Sequence, residues 1–181
     1  MIRAMVICAM SLVTLVACTS PRERLYTLQG PVSLGAEVSG GAEHRATVFL
    51  GPVSIPAEVD RPQLVERGGA YHVTLTEQDR WAVPLREALP RLLAEELTRK
   101  SHDRRFVPPS SGAIATPSAR LAVDIQRFEG SRSDGVVVRA HWVYRSTVAD
   151  SVPVEGDAEA HAAISERGYE GFVDALRRAS T

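Results

Sequence analysis

The side chains that could act as nucleophiles, acids, bases or metal ligands are scattered along this chain. Zinc sites and zinc hydrolases place histidines or cysteines at short fixed spacings, and no HExxH or CxxC-linked set occurs here. Glu95 and Glu96 are adjacent on a predicted helix, so they point in different directions and make a poor acid–base pair. Neither a G-x-S-x-G nucleophile motif nor a phosphate-binding loop is present. The sequence therefore predicts a protein that is not an enzyme and holds no metal or cofactor.

One cysteine stands where covalent chemistry of another kind is expected. Leu15-Val16-Ala17-Cys18 ends a largely apolar segment that begins at Ala4, directly after the positively charged Arg3. The segment is shorter than the roughly twenty residues that cross a bilayer, and it is typical of a secretory signal peptide. Its last four residues resemble a bacterial lipobox. The resemblance implies cleavage between Ala17 and Cys18, a diacylglyceryl group on the Cys18 thiol, and acylation of the new amino group.

The cysteine count agrees with this interpretation. The chain has two cysteines, Cys8 and Cys18, and cleavage would leave only Cys18. A single cysteine in an exported protein cannot form an internal disulfide. Lipidation explains why the mature protein would keep one cysteine. An N-terminal core helix, a marginal membrane span or a Cys8–Cys18 disulfide are the less favoured alternatives. Three acyl chains would hold the protein on a membrane essentially permanently, since one chain alone binds only marginally.

The predicted organisation is a signal peptide over 1–17, a lipidated tether over 18–23 and one periplasmic domain over 24–181. Thr19 follows the cysteine, whereas in bacterial lipoproteins an aspartate there often retains the protein in the inner membrane. By that resemblance, we expect an outer-membrane anchor with the domain facing the periplasm. The 181 residues carry a net charge of -1 and 44% hydrophobic residues, which fits one globular domain and disfavours nucleic acid as a partner.

Hydrophobic patterning predicts an α+β fold. Apolar residues alternate in several segments, and Gly68-Gly69 separates two of them into a hairpin. A second hairpin is predicted from "ARLAVDIQRFEG" and "GVVVRAHWVYRSTV", with Gly130 and Gly135 at its connection. The Gly51-Pro52 pair should bend or bulge its strand. A leucine-rich helix is predicted over 79–100, with Asp79 as its cap and an interior Pro90, and a second helix closes the chain. We expect a single domain with an antiparallel or mixed β-sheet and two main helices packed on one face.

The two tryptophans, Trp81 and Trp142, each lie beside an amphipathic element. Packing in the core is the favoured interpretation for both, because large aromatic side chains dominate protein cores. The alternative is that one of them faces a ligand in an apolar groove.

Two joined motifs carry a resemblance to a known family. "VFLGPVSIPAEVDRPQLVERGG" is followed by "DRWAVPLREALPRLLAEEL", and a later pair reads "LAVDIQRFEG" and "GVVVRAHW". This pattern resembles the periplasmic domain of the ABC-type transport auxiliary lipoproteins. The resemblance implies a non-catalytic accessory of a Pqi-like system that moves lipids between membranes. The implied partners are an MCE-domain protein and its associated permease components.

The motif residues have a structural and a functional interpretation. Prolines restrict the backbone around a turn, and the charged side chains can bond within it, so a structural role is favoured over a partner-docking surface. The residues concerned are Pro56, Asp60, Arg61, Pro62, Gln63 and Trp81. Two other functions remain open: a scaffold or pilot lipoprotein of another envelope complex, and a lipoprotein that itself binds lipid, which a dry groove lined by Trp81 or Trp142 would favour. A homo-oligomer also remains open.

Overall fold

A computed structural model describes residues 22–30, 46–108 and 116–181 of the chain. These ranges contain eight strands and two helices. The strands are β1 (Arg24–Tyr26), β2 (Ala46–Ser54), β3 (Gln63–Arg67), β4 (Val73–Trp81), β5 (Arg104–Val107), β6 (Ala119–Ser131), β7 (Gly135–Ser146) and β8 (Val154–Ala162). The helices are α1 (Leu85–Lys100) and α2 (Tyr169–Ala179).

The strands form two sheets. The smaller sheet has the order β1-β4-β3, with β1 parallel and β3 antiparallel to β4. The larger sheet has the order β5-β2-β6-β7-β8, in which β2 runs parallel to both of its neighbours and the remaining pairs are antiparallel. The predicted α+β class with a mixed sheet and two helices is confirmed. The division of the strands between two sheets is a feature that the hydrophobic pattern does not predict.

The start of α1 corrects one sequence prediction. The helix begins at Leu85, and Asp79 lies in β4 instead of capping the helix. Arg24 donates two hydrogen bonds to the Asp79 carboxylate, at 2.7 and 2.9 Å, and the Tyr26 hydroxyl donates a third at 2.9 Å. Pairing with β1 therefore extends β4 through Asp79–Trp81, the residues that the sequence predicts as the start of the helix. The helix continues through Pro90, whose ring is buried.

The bulge predicted at Gly51-Pro52 is confirmed. The register between β2 and β6 shifts between Leu50 and Val53. Gly51 has a φ of 152°, which side chains rarely adopt, and the peptide bond to Pro52 is cis. Because the strand bulges here, Leu50 and Val53 both pack inward, one buried and one half-buried.

The core joins both helices to the two sheets. Its completely buried side chains come from the short segment after β1, from β3 and from the inward faces of α1 and α2. They are Leu28, Leu64, Leu85, Leu89, Phe172 and Leu176. Burying one such side chain contributes about 1.5–3 kcal/mol, so these contacts hold the layers together.

A charged cluster also connects the smaller sheet to the rest of the molecule. The carboxylate of Glu66, on β3, accepts hydrogen bonds from the backbone N–H and the guanidinium of Arg132, both at 3.0 Å. The hydroxyl of Tyr169, at the start of α2, donates to the same carboxylate at 3.0 Å. The Arg132 guanidinium lies 4.8 Å from the centre of the Tyr169 ring. Although burial opposes ionisation, these hydrogen bonds hold the pKa of Glu66 below its ordinary value.

Candidate functional site

An apolar cleft of about 740 Å³ lies between one face of the larger sheet and the C-terminal ends of both helices. Its size is that of a small-molecule site, and most of its lining is aliphatic or aromatic. The lining residues are Leu93, Leu97, Arg104, Phe106, Leu121, Val123, Ile125, Val138, Ala140, Trp142, Tyr144, Val154, Ala158, Glu159, Ala160, Ala179, Ser180 and Thr181.

Side chains at alternate positions of β6 and β7 form the floor of the cleft. Successive residues of a strand point to opposite faces, so every second side chain faces the helices. The floor consists of cross-strand pairs, Leu121 with Tyr144 and Val123 with Trp142. These four side chains are only half-buried, whereas other apolar side chains of the same face lie in the core. The helices therefore leave this part of the sheet uncovered.

The cleft exists because β8 contributes small side chains to it. The residues of β8 on the cleft face include Gly156, Ala158 and Ala160, while charged residues and His161 occupy the other face. Gly156 pairs with Trp142, and a Cβ atom at position 156 would lie 2.8 Å from Cζ2 of the indole. The indole thus rests on the bare backbone of Gly156.

The wall opposite the sheet comes from α1, and β5, the edge strand of the larger sheet, closes one side of the cleft. Leu93 and Leu97 are half-buried on the face of α1 that is turned toward the cleft. The backbone N–H of Phe106 donates to the Thr98 hydroxyl at 2.9 Å, which fixes β5 against the last turns of α1. Phe106 therefore closes the cleft beside Leu97.

A basic side chain lies at the rim of this apolar space. The Arg104 guanidinium is 5.4 Å from the centre of the Tyr144 ring, within the range of a cation–π contact. Its ion pair with the neighbouring Asp103 is 3.7 Å long and solvent-exposed, so it contributes little. Glu159, which also borders the cleft, is bound by His161 and Arg139, and these hydrogen bonds lower its pKa. Arg104 is therefore available to an anionic group at the rim.

The six motif residues lie elsewhere, around the turn between β2 and β3 and the end of β4. The backbone N–H groups of Val59 and Asp60 both donate to the Pro56 carbonyl, at 3.1 and 3.2 Å. The Pro62 carbonyl accepts from the Trp81 N–H at 2.7 Å. Trp81 itself is 7% exposed and belongs to the core.

The charged residues of the turn face α1 and the interior. Asp60 forms an ion pair with Arg86 of α1 at 3.4 Å. Gln63 pairs with Arg80 across the smaller sheet. Arg61 Nε is buried and lacks a hydrogen-bond partner within the ranges the structure covers. The ion pair with Arg86 gives Asp60 a structural role. A docking role for the turn stays a prediction.

The predicted cleavage and lipidation site lies outside the described ranges. Ala17 and Cys18 precede residue 22, so cleavage and lipidation remain predictions. In residues 22–30, 46–108 and 116–181, neither helix is long and apolar enough to cross a bilayer. The same ranges contain no group of three or more residues suited to bind a metal ion.

Of the residues that sequence reasoning singled out, only Trp142 lies in the cleft. Gly156, which pairs with Trp142, and Arg104, which lies over the Tyr144 ring, were missed. The signal that could have identified the cleft is the alternation of Gly and Ala with Glu, Asp and His in "VEGDAEAHA", because a strand with such a pattern presents one small and one polar face.

The fold is similar to solved structures at low sequence identity. A crystal structure of an uncharacterized protein has a TM-score of 0.71 and 15% identity, covering 88% of this chain and 92% of its own. Protein XCC0632 from Xanthomonas campestris, of the family DUF330, has a TM-score of 0.64 and 14% identity, covering 87% and 88%. At these identities the likeness concerns the fold. No curated protein is significantly similar to the chain.

A family model gives the more specific result. The model described as the ABC-type transport auxiliary lipoprotein component matches residues 26–181, which include both helices and nearly all of the described strands. This match confirms the resemblance carried by the Gly51–Gln63 and Arg80–Leu85 motifs. The chain belongs to the family of ABC-type transport auxiliary lipoprotein components.

Proposed function

We propose that this protein is a non-catalytic accessory of an MCE/ABC-type, Pqi-like system that moves lipids between the inner and outer membranes. In this proposal Cys18 carries the acyl chains, the anchor is in the outer membrane, and the domain faces the periplasm. Membership of a transport auxiliary lipoprotein family supports the general role. The observation that supports a role in lipid transport is the apolar cleft, because it offers a site for the hydrophobic part of a cargo lipid.

The dimensions of the cleft suit one fatty acyl chain. Its floor along β7, from Val138 to Tyr144, extends over six residue steps, or about 20 Å at the usual rise of a strand. One leaflet of bilayer hydrocarbon is about 15 Å thick, so a membrane acyl chain can lie along this row. Val138 at the inner end of the row is buried, whereas the row from Ala140 to Tyr144 is half-exposed. Each methylene removed from water contributes about 0.8 kcal/mol, which makes this half-exposed apolar row an effective binding surface.

The rim of the cleft suits the polar end of the same molecule. Arg104 lies beside Tyr144 at one end of the apolar row, with only a weak exposed ion pair. A guanidinium binds phosphate or carboxylate oxygens through two parallel hydrogen bonds. We therefore assign the acyl chain to the Val123–Trp142 floor and the anionic head group to Arg104.

The partner side of the proposal rests on the family. Its members are expected to act with an MCE-domain protein and permease components, and the turn containing Pro56, Asp60 and Arg61 is one candidate docking surface. Asp60 and Arg61 are half-buried, so part of each side chain remains accessible to a partner.

The experiment is recovery of the tagged, full-length protein from detergent-solubilised outer membranes, with identification of what is bound. We expect acylated Cys18, an MCE-domain protein and phospholipid in the eluate, and a Cys18→Ser variant should be lost from the membrane. A deletion strain should lose detergent resistance. If the deletion leaves lipid transport and detergent resistance intact and no MCE-domain protein is recovered, the proposal is wrong. Recovery of a different envelope machine would favour the scaffold alternative.

A further inference from the structure

The tip of the β3–β4 hairpin exposes apolar side chains that nothing in the described chain covers. The tip consists of residues 68–72, Gly-Gly-Ala-Tyr-His, and the first strand residues after it are Val73 and Thr74. The Tyr71 side chain is fully exposed, and Val73 and Leu75 are 41% and 43% exposed. Exposed tyrosine and aliphatic side chains grouped at a hairpin end are typical of an interaction site.

The tip is held in a fixed orientation. The backbone N–H of Gly68 donates to the His72 carbonyl at 2.9 Å, which closes the loop. The Arg67 guanidinium donates to the carbonyls of Gly69 and Ala70 and, through Nε at 2.7 Å, to the carboxylate of Glu129 on β6. Because Glu129 belongs to the larger sheet, the loop projects from the body of the protein in a defined direction.

The chain reaches β1 from the same end of the smaller sheet. β1 is parallel to β4, with Arg24 opposite Asp79, so the residues before β1 come from the end where β4 starts. Cys18 is six residues before Arg24, and six residues span at most about 21 Å. That distance equals the length of β4 from Asp79 back to Val73. A membrane-anchored Cys18 therefore allows the hairpin tip to reach the bilayer surface.

We propose that the hairpin tip is a second membrane contact, in which Tyr71 enters the interface of the bilayer that holds the acyl chains of Cys18. This inference rests on the proposed lipidation. The chemistry of the tip suits a lipid surface, because tyrosine favours the bilayer interface and residues 68–72 carry no carboxylate. Beside the loop, the Glu129 carboxylate pairs with both Arg67 and Arg127, which leaves this cluster with a net positive charge that favours an anionic lipid surface. Two attachment points would fix how the cleft is turned relative to the membrane, which the acyl chains alone would not do.

The test places a nitroxide label at the tip of the mature, acylated protein. The label is attached in Ala70→Cys, at an exposed position of the tip that leaves Tyr71 in place. The new thiol is the only free one, because Cys8 is removed with the signal peptide and Cys18 is acylated. The protein is reconstituted into vesicles of phosphatidylethanolamine and phosphatidylglycerol, and collisions of the label with oxygen and with a water-soluble nickel chelate are compared. The matched control is Val152→Cys, also highly exposed and apolar, in the loop after β7. That loop is roughly 35 Å away along β7 from the strand end near Glu129.

We expect a several-fold higher oxygen-to-nickel collision ratio at position 70 than at position 152, unchanged when the protein is diluted in lipid. Equal ratios in a protein that is acylated and floats with the vesicles would overturn the tip contact while leaving the anchor intact. Shielding that disappears on dilution would overturn it in favour of contact between copies. Absence of acyl chains on Cys18, or failure to float, would contradict the proposed anchoring and the tip contact together.

Discussion

The indole of Trp142 lies on the backbone of Gly156 in the neighbouring strand, with no room for a side chain between them. A Cβ atom at 156 would be 2.8 Å from the ring, closer than real contacts allow. The ring is thereby held flat as part of the cleft floor. Gly156→Val should displace it, at a cost of about 1–3 kcal/mol in the free energy of unfolding.

The same substitution should weaken binding of a fluorescent fatty acid, because the displaced indole occupies the space of the ligand. Urea unfolding and a fluorescence titration measure the two effects. Glu155→Val is the matched control, since Glu155 is the adjacent residue on the solvent face of β8. If Gly156→Val behaves like Glu155→Val in both measurements, the arrangement of Trp142 described here is wrong.

Filling the cleft should abolish lipid binding without unfolding the protein. Ala158→Trp places a large apolar side chain among the lining residues, where open space is available. We expect at least about a tenfold loss of fatty acid affinity, equivalent to 1.4 kcal/mol, with little change in stability. Ala163→Trp, exposed and just beyond β8, is the control. Unchanged affinity in Ala158→Trp would show that the ligand binds elsewhere.

Arg104 should select for anionic head groups. Arg104→Gln removes the charge beside Tyr144 and should lower the affinity for phosphatidylglycerol about tenfold, as expected for a charge-assisted hydrogen bond. The affinity for an uncharged alkyl chain should stay the same. Arg105→Gln, on the adjacent exposed residue outside the lining set, should leave both affinities unchanged. Equal losses for charged and uncharged ligands would contradict the assignment.

Stability should depend on pH through Glu66. Hydrogen bonds from Arg132 and Tyr169 lower the pKa of Glu66 in the folded state below the ordinary value of 4.5. The folded state therefore binds the proton more weakly than the unfolded state does. The contribution of Glu66 is complete above about pH 4.5 and is lost as the pH falls through the folded-state pKa.

Glu66→Gln tests this expectation. It should cost about 1–3 kcal/mol at pH 7, because hydrogen bonds to a charged group are replaced by weaker ones. The cost should shrink as the pH falls below 4.5, and urea unfolding at a series of pH values measures it. Glu170→Gln, an exposed residue of the first turn of α2, controls for general loss of negative charge. An equal cost at every pH would contradict the role given to ionised Glu66.

Sequence patterning predicts the elements with strong periodicity. The hairpin of β6 and β7 and the C-terminal helix are confirmed, because their apolar residues recur at spacings that only one kind of element satisfies. The helix around Leu89 is also confirmed, but its start is not, since "DRW" pairs with β1 in the structure. The short strand β1 pairs with residues of β4 that are far away in the sequence, and this pairing stabilises the strand. A local sequence pattern carries no information on such long-range pairing.

Local pattern gives only one weak sign of the cleft, the alternation of small and polar residues in β8. β8 has small and polar residues in place of the β-branched ones that mark strands, so it carries no strong signal. Trp142 lies in the apolar phase of β7, and this position in the strand is the same for a residue of the core and for a residue of a groove. Only the pairing of β8 with β7 places Gly156 beneath the indole and leaves the space above it open.

The most direct test of the central claim is crosslinking inside the cell. A photoreactive benzophenone residue replaces Leu97, whose side chain lines the cleft, and in a matched strain it replaces Glu95, which is exposed on the same helix. After illumination, mass spectrometry of the purified protein measures covalently attached lipid. The proposal predicts a phospholipid adduct at position 97 and none at position 95. An absent adduct at 97, or equal adducts at both positions, would contradict a lipid-holding cleft.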